Sequence, residues 1–355
     1  MSRFFSSRYA ALVPYVPGEQ PQDRRYIKLN TNESPYPPSP RAIAYASEAA
    51  KGLQLYSDPE CRKLTDAAAR CFGVDREEIL FGNGSDEILN FAFMAFCDET
   101  HPAVFPDITY GFYSVFGALN RVPCREVPLM PDFTVRPEDY YDAKGTVFIA
   151  NPNAPTGIAL TRQQIRTILD ANPDNVVVID EAYVDFGGES CGELLPEYSN
   201  LLVVGTFSKS RNLAGGRLGF AIGNRELIRD LNTIKYSTNP YNVNSMTMAA
   251  GIGALEDTEY FEKCCKEIIL TREKTAQALK AMGFTVLDSS ANFLFAAHPD
   301  YSGLWLYQQL KQRGILIRHF TKERICEFNR ITIGTRRQME LLVEQIQEIL
   351  KERDR

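Results

Sequence analysis

The sequence predicts an α/β fold, in which a mostly parallel sheet is covered by helices and followed by a smaller α+β unit. Residues 146–150, 175–180 and 201–205 form three runs with few polar residues and the length of β-strands. Strands without polar alternation are buried on both faces, as in parallel sheets covered by helices. Because helical patterns alternate with these runs between residues 58 and 223, we expect crossover connections.

The other elements follow in order along the chain. The first 40 residues are rich in proline and polar groups, which indicates an extended arm. We expect residues 1–40 to form this arm and part of a small domain, residues 41–255 a large domain, and residues 256–355 a small C-terminal domain. The remaining predicted elements are helix 59–72, strand 79–81, helix 88–97, strand 103–105, helix 256–282, strands 291–297, 314–319 and 330–334, and helix 337–351.

Composition excludes several classes of protein. The 355 residues are 44% hydrophobic and 24% charged, as in ordinary globular proteins. The net charge of -6 argues against electrostatic binding to nucleic acid or to a membrane surface, so we expect neither partner. The sequence has no apolar run of 18 residues and no signal-peptide pattern at its start, which favours a cytoplasmic protein.

Cysteine and histidine usage gives no indication of a metal centre. The eight cysteines are scattered and never spaced as C-x-x-C, so we expect reduced thiols that pack in the interior. The three histidines do not form a pair with metal-ligand spacing. We therefore predict no bound metal.

Lys209 is the most informative residue of the chain. It follows the buried strand 201–205 and lies in the pattern S-K-x-x-x-L-A-G-x-R-x-G, which ends at Gly219. A lysine in a buried position can lose its charge through desolvation and act as a nucleophilic amine. Such an amine forms a covalent bond with an aldehyde cofactor, and the nearby Thr206, Ser208 and Arg217 could hold a phosphate group.

Further candidates lie at the carboxyl ends of predicted strands, where ligands bind in α/β sheets. Gly84, Ser85 and Asp86 open a helix, whose free N–H groups could bind phosphate or could simply be capped by Ser85 or Asp86. Asp180 ends the strand 175–180; a carboxylate there could hold a cationic ring nitrogen, bind Mg²⁺ or cap a helix. Tyr110 and Tyr183 could contact a flat ring, or could be aromatic core residues.

These patterns together resemble the fold-type I aminotransferases, which depend on pyridoxal 5′-phosphate, and the resemblance covers nearly the whole chain. It implies a large domain with a sheet of the seven-stranded type. It implies that Lys209 binds the cofactor covalently, that Asp180 contacts the ring nitrogen and Tyr183 the ring oxygen, and that Tyr110 stacks on the ring. The implied phosphate ligands are Gly84, Ser85, Asp86, Thr206, Ser208 and Arg217.

One loop departs from the family pattern. Residues 151–157 read N-P-N-A-P-T-G, whereas many aminotransferases have N-P-T-G with an asparagine that touches the ring oxygen. Ala154 occupies that position here. We expect either Asn153, one residue earlier, or Tyr183 alone to supply the contact.

The ends of the chain resemble histidinol-phosphate aminotransferases. Residues 14–21 look like their N-terminal arm, and residues 29–35 look like their L-N-x-N-E segment. The resemblance implies a homodimer in which Tyr56 reaches the cofactor phosphate of the other subunit. It also implies small-molecule substrates, namely a phosphorylated amino alcohol or amino acid and a 2-oxo acid. The implied substrate ligands are Tyr15, Asn32, Arg318 and Arg330.

Other interpretations of the same motifs remain open. Threonine-phosphate decarboxylases and aromatic aminotransferases share most of them. A non-catalytic regulator that binds the cofactor usually has an added DNA-binding module, for which we expect no room in this chain. A dinucleotide-dependent oxidoreductase is disfavoured because the third glycine of G-x-G-x-x-G is missing after Gly82 and Gly84.

Overall fold

The computed structural model describes residues 2–353. The strands are β1 (Ile27–Lys28), β2 (Ile79–Gly82), β3 (Ala103–Pro106), β4 (Cys124–Val127), β5 (Thr146–Ala150), β6 (Val177–Asp180), β7 (Leu201–Thr206), β8 (Gly219–Gly223), β9 (Thr285–Val286), β10 (Phe293–Ala297), β11 (Ile315–Leu316), β12 (Arg318–His319) and β13 (Asn329–Thr332). The α-helices are α1 (Pro40–Ala49), α2 (Arg62–Phe72), α3 (Ser85–Phe96), α4 (Phe112–Asn120), α5 (Arg162–Asp170), α6 (Arg225–Thr238), α7 (Ser245–Glu256), α8 (Thr258–Ala281), α9 (Gly303–Gln312) and α10 (Arg336–Arg353).

A seven-stranded sheet in the order β2-β8-β7-β6-β5-β3-β4 forms the centre of the large domain. Every neighbouring pair from β7 to β4 is parallel, whereas β8 runs antiparallel to both β7 and β2. Strands β5, β6 and β7 are buried along their whole length, as their unbroken apolar runs require. The predicted mostly parallel α/β sheet is confirmed.

Helices cover both faces of this sheet. On one face, Ile88 and Phe93 of α3 and Leu231 of α6 pack in a core with Phe148 of β5. On the other face, α5 supplies Ile165, which packs against the opposite side chains of β5 and β6. Because both faces are covered, the carboxyl ends of the parallel strands are left as the place where loops form a site.

The smaller unit contains an antiparallel sheet in the order β12-β13-β10-β9, covered by α8, α9 and α10. The N-terminal segment crosses to this unit, because β1 pairs in parallel with β11, and the Thr332 N–H donates to the Leu29 carbonyl at 3.0 Å. The arm and the C-terminal strands therefore hold residues 29–32 at the border of the two domains.

Several predicted elements differ from the structure: helix 59–72 begins at Arg62, helix 88–97 begins at Ser85, and two further differences have a structural cause. The run 314–319 was expected to be one strand, but it is divided into β11, which pairs with β1, and β12, which pairs with β13. The helix predicted over 256–282 begins at Thr258, because Asp257 leaves helical geometry between α7 and α8. Helix α7 packs closely against α1, since a Cβ on Gly253 would lie 2.7 Å from the Ala42 Cα atom.

Within residues 2–353, no helix combines the length and the apolar character needed to cross a bilayer.

Candidate active site

Two adjoining cavities of about 320 and 710 Å³ lie beyond the carboxyl ends of β5, β6 and β7. Both are lined by Thr31, Tyr110, Ala154, Tyr183 and Lys209, so they form one continuous site. The smaller cavity reaches the start of α3, and the larger one reaches the small-domain strands and the N-terminal arm. We call them the inner cavity and the outer cavity.

Lys209 lies where the two cavities meet. Its Nζ atom donates a weak hydrogen bond to the Thr31 carbonyl at 3.4 Å. Burial, followed by repulsion from the Arg330 guanidinium, lowers the pKa of Lys209 from its ordinary value of 10.5 to about 8. The amine is therefore partly uncharged near neutral pH, as a nucleophilic lysine requires.

Asp180 forms the floor of the inner cavity at the end of β6. One carboxylate oxygen accepts a hydrogen bond from the Tyr113 hydroxyl and the other from the Ala182 N–H, each at 3.2 Å. Burial raises the pKa of this carboxyl from 3.8 to about 7, and these two donors only partly oppose the rise. The position suits a cationic ring nitrogen, because a nearby cation would stabilise the buried carboxylate.

The far end of the inner cavity can bind a phosphate group. The backbone N–H groups of Ser85 and Asp86 begin α3, and Arg217 closes the same end. Gly84 has a positive φ of 81°, a conformation that favours glycine, and a Cβ there would also lie 2.4 Å from the Arg217 Nη2 atom. Thr206 and Ser208 add two hydroxyl groups whose oxygen atoms are 2.9 Å apart.

The Asp86 side chain has a different role from its N–H group. Its carboxylate forms an ion pair with Arg217 at 3.0 Å and accepts a hydrogen bond from the Tyr110 hydroxyl at 2.5 Å. These contacts orient the guanidinium and fix the Tyr110 ring as one wall of both cavities. Burial, then the Asp86 charge, raises the pKa of Tyr110 well above its ordinary value.

The Asn153 side chain is occupied by hydrogen bonds to other protein groups. Its amide nitrogen donates to the Ile108 carbonyl and to the Thr156 hydroxyl, both at 3.0 Å. Its amide oxygen accepts from the Thr109 hydroxyl at 2.8 Å. The side chain thus contacts residues 108 and 109 after β3 and Thr156 of its own loop, and it lines neither cavity. The contact of Asn153 with the cofactor therefore stays a prediction that this geometry does not favour, because the Ala154 methyl group, and not the Asn153 amide, lines the cavities.

Tyr183 lines both cavities, and its ring lies close to the Lys209 amine. Its hydroxyl oxygen accepts a hydrogen bond from the Asn32 amide nitrogen at 3.0 Å. Asn32, which was expected to bind substrate, lines the outer cavity and is 1% exposed. Two further groups of the site were not predicted from the sequence, namely the Thr31 carbonyl and the Tyr113 hydroxyl. Tyr113 lies three residues after Tyr110 on a helical turn, and this spacing was a signal that could have identified it.

The small domain places two arginines in the outer cavity. Arg330 donates to the Asn30 carbonyl at 3.0 Å, while its buried Nε atom has no hydrogen-bond partner. Burial lowers the pKa of this guanidinium. Arg318 makes two long contacts of 3.4 Å to the Val16 and Pro17 carbonyls. Among the described residues, neither arginine has an ion pair with a carboxylate.

Tyr15 closes the outer cavity from the N-terminal arm. Its ring stacks on Phe112 with a centroid distance of 4.2 Å, and it lies over Gly111. The side chain is 38% exposed, so the arm lies on the protein rather than within its core. Tyr15 is therefore placed to cover a bound substrate.

Tyr56 lies outside both cavities. It is 84% exposed and stacks on Tyr241 with a centroid distance of 4.7 Å. Leu53 and Leu55 beside it are also exposed. Within one chain, Tyr56 does not reach the site.

No metal-binding group of three or more His, Cys, Asp or Glu side chains occurs within residues 2–353. The polar groups that line the two cavities include the Lys209 amine, the Asp180 carboxyl, hydroxyls and guanidinium groups, which suit an organic phosphate cofactor and an anionic substrate.

Comparison with known proteins adds family information to this geometry. The family described as "Aminotransferase class I and II" matches residues 24–346. The chain is 47% identical to the histidinol-phosphate aminotransferase of Clostridium beijerinckii over 351 residues, covering 99% of this chain and 98% of the relative. It is 48% identical to that of Brachyspira hyodysenteriae over 353 residues, covering 99% and 100%.

Solved structures share the same fold. Histidinol-phosphate aminotransferase from Sinorhizobium meliloti, in complex with pyridoxal-5'-phosphate, has a TM-score of 0.90 at 23% identity and covers 99% of each chain. L-threonine-O-3-phosphate decarboxylase from Porphyromonas gingivalis has a TM-score of 0.80 at 20% identity, covering 92% of this chain and 99% of that one. At these identities the similarity establishes the fold alone.

Proposed function

The chain belongs to the aminotransferase class I and II family, and we propose that it is a pyridoxal 5′-phosphate-dependent transaminase acting on histidinol phosphate. The proposed reaction converts histidinol phosphate and 2-oxoglutarate to imidazole-acetol phosphate and glutamate, a step of histidine biosynthesis. Curated relatives with 47% and 48% identity over almost the full chain bear the name histidinol-phosphate aminotransferase.

One observation carries the proposal. A single continuous site joins an amine of lowered pKa, Lys209, to two arginines without carboxylate partners among the described residues. Arg318 and Arg330 can therefore receive an anionic group of the substrate while the reacting carbon lies near Lys209.

The residues of the inner cavity fit pyridoxal 5′-phosphate. Lys209 would bind it covalently, and Asp180 would hold its ring nitrogen in the charged form. The start of α3, with Thr206, Ser208 and Arg217, would bind its phosphate. When bound, the cofactor supplies an electron-withdrawing ring that acidifies the hydrogen on the substrate carbon next to the amine.

Lys209 is the proposed general base. With cofactor and substrate bound, the Lys209 Nζ atom would be placed to remove the hydrogen from the substrate carbon next to the amine. A pKa near 8 suits this role, because the uncharged amine is available close to neutral pH. The Thr31 carbonyl, 3.4 Å from Nζ, helps to keep the amine directed along the border of the two cavities.

The same arginines would serve both halves of the reaction. Histidinol phosphate carries a phosphate, whereas glutamate and 2-oxoglutarate carry carboxylates, and guanidinium groups bind both. Tyr15 would close over the substrate and exclude water. In this proposal the large domain of residues 41–255 holds the cofactor, while residues 1–40 and 256–355 supply the substrate contacts.

We further propose a cytoplasmic homodimer. Tyr56, with Leu53 and Leu55, forms an exposed apolar surface that a second copy of the chain would cover. Tyr56 would then reach the cofactor phosphate of the partner. The cysteines of the described chain are all free thiols, in keeping with a reducing compartment. The partners are small molecules, namely the phosphorylated amino alcohol and the 2-oxo acid.

A half-reaction experiment tests this function. The purified protein, loaded with pyridoxal 5′-phosphate, is mixed with histidinol phosphate, threonine phosphate, phenylalanine or glutamate while cofactor absorbance is followed. Histidinol phosphate and glutamate should both convert the cofactor to its amine form. Release of carbon dioxide from threonine phosphate would instead support a decarboxylase.

A further inference from the structure

Ala154 leaves the site without the amide that aminotransferases of this type often carry. The inner cavity is lined near Tyr183 by Ala150, Ala154 and Ala182, whose side chains have no hydrogen-bond donor. Both amide hydrogens of Asn153 are already donated, to the Ile108 carbonyl and to the Thr156 hydroxyl. The Tyr183 hydroxyl is therefore the polar group that this wall presents to a ring oxygen.

A hydroxyl group has one hydrogen, so whether Tyr183 can donate to a ligand depends on the protein group that its oxygen already contacts. If Tyr183 donated to a neighbouring protein group, it would have no hydrogen left for a ligand. The relevant neighbour is Asn32, whose amide group lies 3.0 Å from the phenolic oxygen. Because an amide can present either its oxygen or its nitrogen, the orientation of Asn32 decides the matter.

Contacts with the small domain fix that orientation. The Asn32 backbone N–H donates to the Thr332 hydroxyl oxygen at 2.9 Å. The single hydrogen of this hydroxyl is then donated to the Asn32 Oδ1 atom at 3.0 Å. Since Oδ1 is an acceptor held by Thr332, the end of the amide that faces Tyr183 is the NH₂ group.

The backbone of Asn32 supports the same arrangement. Asn32 has a φ of 55°, in the left-handed region that asparagine tolerates better than most residues. Its carbonyl accepts a hydrogen bond from the buried Asn292 amide at 3.1 Å. The residue is thus held by two backbone contacts and one side-chain contact to the small domain, so its amide has little freedom to rotate.

We propose that Asn32 is a positioning residue that makes Tyr183 a hydrogen-bond donor to the cofactor ring oxygen, and so replaces the missing loop amide. The Asn32 NH₂ group occupies the acceptor side of the Tyr183 oxygen, which leaves the phenolic hydrogen directed into the cavity. The inference rests on the proposed function, because it requires a bound pyridoxal 5′-phosphate next to Tyr183.

The same hydrogen bonds link the inner cavity, which would hold the cofactor, to the outer cavity, which would hold the substrate. Thr332 lies two residues from Arg330 in β13, so both side chains are on the same face of the strand. The hydrogen bonds from Thr332 to Asn32 and from Asn32 to Tyr183 therefore connect the strand that carries Arg330 with the hydroxyl that faces the cofactor.

Asn32→Asp is the sharpest test, because aspartate keeps the size and tolerates the left-handed backbone. Its carboxylate would accept the Tyr183 hydrogen and so remove the donor from the cofactor. The holoenzyme of Asn32→Asp should bind pyridoxal 5′-phosphate about tenfold more weakly, as expected for loss of one hydrogen bond to a charged oxygen. The pH midpoint of the absorbance titration of the bound cofactor should shift to a higher value. Without the hydrogen bond from Tyr183 the ring oxygen keeps more negative charge, and this charge stabilises the proton on the nitrogen that joins the cofactor to Lys209.

A double-mutant cycle separates this role from a general structural one. In the Tyr183→Phe background, Asn32→Asp should cause a smaller shift of the titration midpoint, because only the added charge then acts on the cofactor. Asn172→Asp, a buried asparagine that bonds to Ala143 and Tyr140 outside both cavities, controls for burying a carboxylate and should keep the wild-type midpoint. An equal shift in both backgrounds, or no shift at all, would overturn the inference. A wild-type protein that shows no cofactor absorbance would contradict the proposed function itself.

Discussion

Arg318 and Arg330 lie directly opposite each other in the antiparallel pair β12–β13. Side chains at opposite positions share one face of a sheet, so two guanidinium groups point toward the same space. Like charges in this arrangement repel, and burial of Arg330 adds a cost that no carboxylate among the described residues offsets. An anionic ligand would remove both costs, which is the physical basis for placing the substrate phosphate here.

The first prediction concerns Arg330. Arg330→Gln should lower kcat/KM for histidinol phosphate and for glutamate by at least about tenfold, because charged hydrogen bonds contribute roughly 1.5–3 kcal/mol. Steady-state kinetics on each substrate measure this. Arg337→Gln, which changes an exposed arginine of α10, is the matched control and should keep wild-type kinetics.

Substitutions of Arg318 and Tyr15 should lower kcat/KM less than Arg330→Gln does. Arg318→Gln should cost less than Arg330→Gln, because the hydrogen bonds of Arg318 lie at the exposed surface and are long, whereas that of Arg330 is partly buried and shorter. Tyr15→Phe should cost least, since a neutral hydrogen bond contributes roughly 1 kcal/mol. Unchanged turnover of histidinol phosphate in both arginine variants would remove this pair from the substrate site.

The second prediction concerns Lys209. Lys209→Ala should abolish transamination while the protein still folds, because the one hydrogen bond of the buried amine is weak and its loss would destabilise the core little. It should retain some non-covalent cofactor, since the phosphate ligands are unchanged. Absorbance spectra before and after treatment with borohydride measure covalent attachment. A variant that still binds the cofactor covalently would show that another lysine is the attachment point.

The third prediction uses the pH dependence of stability in the cofactor-free protein. Asp180 has a pKa raised to about 7, so the folded state binds a proton that the unfolded state loses near 3.8. Its contribution to the free energy of unfolding is therefore present at low pH and is lost as pH rises toward 7. Asp180→Asn should gain stability relative to the wild type between pH 4 and 7.

Denaturant unfolding at a series of pH values measures this difference. Lys209 does not interfere in that range, because its lowered pKa changes the stability only between about 8 and 10.5, where stability rises with pH. If the two proteins keep a constant difference from pH 4 to 7, Asp180 is not a buried carboxyl of raised pKa.

The fourth prediction concerns Tyr56 and the homodimer. Tyr56→Phe should weaken cofactor retention, although Tyr56 lies outside the cavities of its own chain. Mixed dimers of Tyr56→Phe and Lys209→Ala subunits should regain activity, because one of their two sites then has both groups intact. Heterodimers that form properly and remain inactive would argue against a shared site.

The sequence predicted the parts of the site that lie at strand ends. Asp180 and Lys209 follow buried apolar strands, and the carboxyl ends of neighbouring parallel strands meet at one edge, so their proximity follows from the pattern. The antiparallel direction of β8 was not predicted, because strand direction is set by connections and packing rather than by the residues of the strand.

The contact between Asn32 and Tyr183 could not be predicted in this way. The two residues are 151 positions apart, and they meet because β1 pairs with β11 and holds residues 29–32 against β13. The outcome at Asn153 was also hidden, because the direction of its side chain depends on local contacts with Ile108, Thr109 and Thr156. Such tertiary contacts leave no periodic signal in the sequence.

The most direct test of the account is the substrate preference of the wild-type enzyme. We would measure kcat/KM with 2-oxoglutarate as acceptor for histidinol phosphate, histidinol and phenylalanine. The account predicts that histidinol phosphate exceeds both others by at least about tenfold, because only its phosphate engages the charged pair of Arg318 and Arg330. A preference for phenylalanine, or equal turnover of histidinol and histidinol phosphate, would contradict it.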